Sequence, residues 1–401
     1  MKKSPLILII FLFGTISIFA QSESCDCKTD LDFIIEKIKK MPSYKKQIKN
    51  EKADLFYETY KKLSTKMQQP VLVENCYRML LKQMLLVNDV HASLQFSKPY
   101  ISEKEISNET DLATFRASQL FKNHPKTNRN ISELKEELEQ KNLEDLEGIY
   151  SYNKKERIGF YYADNKKDII GVVLESDLKQ WEIGEIRLYA THTNDNKYNL
   201  YYYNVNTRQP GFVKSLSFEN GRMWSYKKEG NTLNYEFANN GDKIVDFKQI
   251  NEDTQYLYFK TFGNSKKREL IKFFNKTKNK INSGGNKKFS DPFLKVLKDK
   301  NVYVITNCFA GSNGEQFTLK LLKNKNAIHL GQTTRGIIAY GMNYGNNYST
   351  PSGHFKITPT DMNFNKYITY EGKGITPEIS LDFNKDWIEQ TLEIIKADKS
   401  K

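Results

Sequence analysis

Between residues 302 and 331 two short apolar runs flank one amphipathic stretch. "NVYVITN" reads as a strand, "GEQFTLKLLKN" as a helix with Phe317, Leu321 and Leu322 as its core-facing candidates, and "AIHLGQTT" as a strand ending near Gly331. Strands that alternate with helices point to an α/β domain. "QYLYFKTF" extends the pattern upstream as a strand, "KKRELIKFFNKTK" and "DPFLKVLKD" as helices, and "WIEQTLEIIKAD" ends the chain as a helix. The link between the first strand and its helix is "CFAGSNGEQF". There Ser312 and Glu315 form S-x-x-E, the pattern of a helix capping box. A serine on a sharp strand-to-helix turn is also where several hydrolase folds hold a nucleophile.

The rest of the chain divides by texture. Residues 1–20 join a short basic start, "MKK", to an apolar run that ends at Ala20, the form of a secretory leader. Residues 21–145 read as a helical region. "LDFIIEKIKKM" sets Leu31, Ile34, Ile35 and Ile38 on one face, and "VLVENCYRMLLKQMLLV" repeats the pattern with Val73, Cys76, Met79, Leu80 and Met84. Asn130 before "ISELKEELEQ" is a candidate N-cap. "VNDVHASLQFSK" interrupts these helices and alternates from Val90 onward like a short strand. Residues 146–250 change to tyrosines, β-branched residues and turn dipeptides, which suggests a small antiparallel sheet or barrel, faintly similar to calycins. Residues 251–401 form the α/β part.

Bulk properties narrow the function classes. A leader implies export, and no later segment is long and apolar enough for a membrane span. Losing Lys2 and Lys3 with the leader takes the formal charge from +14 to +12. The basic residues are scattered as pairs rather than gathered in a block, the pattern of a solvated lysine-rich surface and not of a nucleic-acid binder. Export permits disulfides, and Cys25 or Cys27 could pair with Cys76 to staple the N-terminal helices. C-x-C with two distant cysteines is a poor zinc pattern, and Cys308 reads as a small buried residue at a strand end.

Taken in order, the strand, the turn serine three residues before Glu315, "LGQTTRG", "TPSG" and "EGKGITPE" resemble the tail-specific, or C-terminal processing, serine peptidase family. "NDVHASL" is similar to that family's upstream D-x-H motif. The resemblance implies a crotonase-like α/β spiral core, preceded by the helical region and interrupted by the antiparallel β-domain, which stands where many relatives carry a PDZ domain. It implies Ser312 as nucleophile. It also implies an oxyanion hole from the N–H of Asn313 and from Gly284 or Gly285 of "NSGG". The larger bacterial branch uses a lysine 25 residues after the serine, and Ile337 stands there. The tricorn-core branch uses a histidine from the upstream motif and a glutamate before the last glycine motif, which here are His91 and Glu371. Asp89 is a second candidate for orienting His91, and His329 and His354 are rival bases outside the family motifs.

The expected chemistry follows from this trio. A serine hydroxyl needs a nearby base of near-neutral pKa, which His91 supplies, and a buried carboxylate steadies the imidazole. Peptides or proteins are then the substrates, with neither metal nor organic cofactor. One departure keeps a second expectation open. The apolar strand that leads into N-x-G-G in the family is replaced by "NKTKNKI". That favours a degenerate relative that binds peptide or another ligand without cutting it.

Overall fold

The computed structural model describes residues 23–399 except 153, 195, 220, 232–243, 261–267, 271, 273–293, 295–296, 342–345, 383 and 384. The leader, "NSGG" with Gly284 and Gly285, and most of "KKRELIKFFNKTK" and "DPFLKVLKD" lie outside the described residues. No helix among the described residues is long and apolar enough to cross a membrane.

The N-terminal region is helical because its apolar residues recur at helical spacing and its ends are capped. Asp26 accepts Thr29 N–H at 3.0 Å to open Cys27–Lys40, whose buried face holds Leu31, Ile34, Ile35 and Ile38. Pro42 starts the next helix, Pro42–Gln47, at a position where its missing N–H costs nothing. Glu51–Lys66 and Val73–Met84 follow. In the latter Tyr77 and Leu81 join Val73, Cys76, Leu80 and Met84 in the core, and Met79 is only half-buried. Cys27 and Cys76 form a disulfide that ties the two helices together, leaving Cys25 and Cys308 as free thiols.

Eight antiparallel strands between Gly148 and Lys228 close into a barrel. Its strands alternate, but both sets of side chains find cover. From Glu156–Tyr162, Ile158 and Phe160 enter the main core, which is continuous with the N-terminal helices. Tyr161 from the same strand faces a second cluster, where Leu134 and Leu138 of helix Ile131–Glu139 lie against Ile149, Val172, Leu174 and Ile186. Two ion pairs are buried within this region, Arg187–Glu156 at 3.4 Å and Arg208–Glu185 at 2.7 Å. The hairpin Val245–Gln249/Gln255–Phe259 then straddles residue 250, where the sequence suggested a change of domain.

The α/β part is a parallel sheet ordered Val302–Thr306, Ala327–Gly331, Ile379–Ser380. Helix Asn313–Leu321 crosses between the first two strands, and helix Trp387–Lys399 buries Trp387 against Leu330 and Leu381. A separate sheet joins the two ends of the chain. Ser93–Phe96 pairs antiparallel with Phe355–Thr358, Phe96 opposite Phe355 and Ser93 opposite Thr358. Val90–Ala92, expected as the start of this strand, instead form the turn that leads into it.

Candidate active site

The crossover brings Ser312 to the end of a strand and the first turn of a helix. Its backbone sits at φ +54°, ψ −117°, left-handed and costly for a residue with a Cβ. The surroundings hold it there. Glu315 is fully buried, and one carboxylate oxygen accepts the Ser312 N–H at 3.0 Å and the Ile337 N–H at 2.9 Å. The other accepts Thr334 Oγ1 at 2.6 Å and the Gly336 N–H at 2.7 Å. The S-x-x-E glutamate therefore fastens the serine turn to "TTRGI". This explains why the helix turns Glu315 and Thr318 inward, whereas Phe317 and Leu321 are only half-buried. Phe317 meets Phe259 edge-on, with ring centroids 5.6 Å apart.

The glycine motifs have a steric reason. A Cβ on Gly336 would stand 2.6 Å from Gly374 N, and one on Gly374 would stand 2.1 Å from the Thr334 carbonyl oxygen. "TTRG" and "EGKG" thus press backbone on backbone, with Gly372 N–H donating to Gly336 O at 2.7 Å. Ile337, at the family's lysine position, packs over Gly311, where an added Cβ would lie 2.8 Å from its side chain.

His91 arrives from the other end of the chain. Its Nε2 lies 3.1 Å from Ser312 Oγ. Four side chains from separate segments hold the turn that carries it. Gln47 clasps Asn88, its Oε1 accepting the backbone N–H at 2.8 Å and its Nε2 donating to the carbonyl at 2.7 Å. Asp89 accepts the Ala92 N–H at 3.1 Å and the Thr360 hydroxyl at 2.5 Å. Glu371 accepts the Val90 N–H at 3.1 Å, and Lys214 donates to Asp89 O at 2.6 Å and Ala92 O at 3.0 Å. Burial holds the His91 imidazole below its ordinary pKa. The Asp89 charge opposes this and the Arg335 and Lys214 charges add to it, so the ring is neutral and able to accept a proton at neutral pH.

Two expectations change here. Glu371 is buried but does not orient the imidazole. Its second oxygen accepts the N–H groups of Ile338 and Ala339 at 2.9 and 2.8 Å, so the carboxylate clamps two backbone segments together. Burial pushes its pKa up to about 7. Asp89 spends its oxygens on Ala92 and Thr360, and His91 Nδ1 is buried with no hydrogen-bond partner. The described residues therefore form a Ser–His pair without a carboxylate on the far nitrogen. The other histidines are elsewhere. His329 bonds Thr306 Oγ1 at 2.8 Å inside the parallel sheet, and His354 lies 3.6 Å from Glu23. Asn313 opens the helix after Ser312 and is exposed. The Cys308 thiol is pushed up to about 12 by burial, which makes it a poor nucleophile.

Sequence reasoning missed Gln47, Thr360 and Lys214. None stands in a motif, and only the fold brings them to the His91 turn.

No curated protein matches the chain. Among solved structures the chain is similar to a photosystem II D1 C-terminal processing protease, at 10% identity over 92% of this chain and 97% of that one, with a TM-score of 0.38. It is also similar to a putative S41 protease from Bacteroides fragilis, at 12% identity over 71% and 96%, with a TM-score of 0.27. The sequence pattern of the peptidase family S41 matches residues 215–381, a stretch that contains Ser312, Glu315, the "TTRG" turn and Glu371. Over that stretch, though not over the chain as a whole, the protein matches peptidase family S41, in line with the tail-specific peptidase resemblance of its motifs.

Proposed function

We propose that the protein is an exported serine endopeptidase that cuts peptide bonds through an acyl-enzyme on Ser312, with His91 as general base, in the manner of the tricorn-core branch. The observation that carries this reading is the 3.1 Å contact between Nε2 and Oγ, made by residues 221 positions apart. As Oγ attacks the scissile carbonyl carbon, His91 Nε2 takes the hydroxyl proton. The tetrahedral oxyanion collapses, the C–N bond breaks, and the leaving amine takes that proton from Nε2. Water then repeats the sequence on the acyl ester. The N–H of Asn313 at the helix start, with a glycine of "NSGG", is the proposed oxyanion hole. The parallel sheet and crossover helix are the proposed crotonase-like core. The leader reading and the Cys27–Cys76 disulfide both favour an oxidising compartment outside the cytoplasm.

The test is labelling of the purified protein with a fluorophosphonate probe. Wild-type protein is expected to label, Ser312→Ala to give no label, and His91→Ala to label about 10²-fold or more slowly, the usual scale of general-base assistance. Well-folded wild-type protein that takes no label and leaves casein intact would sink the peptidase reading in favour of a peptide-binding relative.

A further inference from the structure

The barrel's sixth strand, Pro210–Glu219, departs from regular pairing at one point, and that point faces the active site. Tyr198 pairs with Leu216 and Leu200 with Val213, so Asn199 alone stands opposite both Lys214 and Ser215. This is a β-bulge, a device that re-aims side chains. Ser215 takes φ +55° to make it, and its N–H donates to Asn199 Oδ1 at 3.2 Å. The two bulged residues leave the barrel's pattern and enter the catalytic loops. Ser215 Oγ donates toward the carbonyls of Arg335 at 3.2 Å and Gly372 at 3.4 Å. Lys214 reaches the carbonyls of Asp89 and Ala92, the residues that bracket the His91 turn.

Among the described residues the Lys214 ammonium makes two contacts, both to carbonyl oxygens, and no described carboxylate lies in ion-pair range. A buried cation without a paired anion is costly to keep. Its field falls on His91, together with that of Arg335 and against that of Asp89. Burial brings Lys214 down to about 8, against the pull of Asp89 and Glu371, so it still carries its charge where an imidazole titrates.

We propose that Lys214 is a positioning residue for the general base: the barrel bulge delivers it to hold the His91 turn by the carbonyls on either side. The barrel is then a working part of the active site and not an appended module. This rests on His91 being the base.

The experiment compares wild type, Lys214→Gln, Lys214→Met and Lys214→Arg. It reads the fluorophosphonate labelling rate against pH and, separately, the titration of the His91 ring by NMR. A cation disfavours the imidazolium, so removing it raises the His91 pKa. Activity that needs the neutral ring is then lost at a higher pH on acidification. Gln and Met are expected to move the His91 midpoint and the acid limb upward together and to slow labelling about tenfold or more. Arg is expected to keep the midpoint. Asp89→Asn should move the midpoint the opposite way. Folded Gln or Met variants with the wild-type midpoint and rate would overturn the proposal. If neither folds, Arg decides: a retained midpoint with slowed labelling supports it, and a wild-type rate with a shifted midpoint overturns it. If wild type does not label at all, the peptidase reading has failed, and the NMR titration still reports whether Lys214 governs His91.

Discussion

Glu315→Gln isolates what holds the nucleophile turn. The carboxylate accepts four hydrogen bonds and the side chain is fully buried, so an amide of the same shape cannot satisfy all four donors. The amide NH2 must replace one oxygen. Facing Ser312 and Ile337, it would orphan two backbone N–H groups. Facing Thr334 and Gly336 it does less harm, because the Thr334 hydroxyl can turn and accept, and only the Gly336 N–H is left bare. That orphan costs about 1–3 kcal/mol, and exchanging charged for neutral acceptors in the bonds that remain adds roughly 1 kcal/mol each. The expected loss is about 3–5 kcal/mol, most of it local to residues 334–337 and the Ser312 turn. Amide hydrogen exchange reads it directly. Protection of the Gly336 and Ile337 amides should fall about 10²-fold to several 10³-fold, limited above by global unfolding, and fluorophosphonate labelling should slow in parallel. Unchanged protection at both amides together with wild-type labelling would show that the left-handed serine is held by something other than this carboxylate.

Three further outcomes follow from burial and from the disulfide. Glu371 releases its proton near pH 7 in the folded protein and near 4.5 when unfolded, so the native state binds the extra proton between these values and stability falls as pH rises through them. The amount is about 3 kcal/mol, and the wild-type minus Glu371→Gln difference in urea stability should decline by that order between pH 4.5 and 7.5. The Cys27–Cys76 disulfide closes a loop of 49 residues, worth about 4 kcal/mol of chain entropy, so reduction should lower the urea midpoint clearly. Cys25 and Cys308, both pushed up to about 12 by burial, should resist alkylation in the native protein and react as two thiols once it is denatured.

What was legible in the sequence had a local cause. The strand–turn–helix–strand around Ser312 follows from hydrophobic periodicity, and the meeting of Ser312 with His91 follows from two short motifs read together. Glu371 was expected to orient the His91 imidazole, and its carboxylate instead holds backbone N–H groups. A carboxylate beside a histidine motif suggests a partner for the ring, but the N–H groups of Val90, Ile338 and Ala339 converge on it only after three loops have packed. Phe317 and Leu321 looked like the inward face of their helix because they are apolar. The space beneath that helix is polar, lined by the backbone of "TTRGI", and it takes Glu315 and Thr318. Lys214 could not be read at all. In "FVKSLSF" a regular alternation assigns every residue to one face or the other, and a single extra residue in one strand breaks that assignment without any mark in composition.

The pairing of Ser93–Phe96 with Phe355–Thr358 has a consequence for the order in which the molecule can become active. The histidine is made early, and among the described residues its strand has no hydrogen-bonded strand partner until the chain has grown past residue 358. The clamp on its turn, Glu371, comes later still. A chain that stops short of residue 371 therefore lacks the clamp on the His91 turn, and on the proposed mechanism it is unable to attack a peptide bond. On the proposed mechanism, chemical competence appears only with the last tenth of the sequence, so covalent labelling of Ser312 should serve as a clock for the completion of folding.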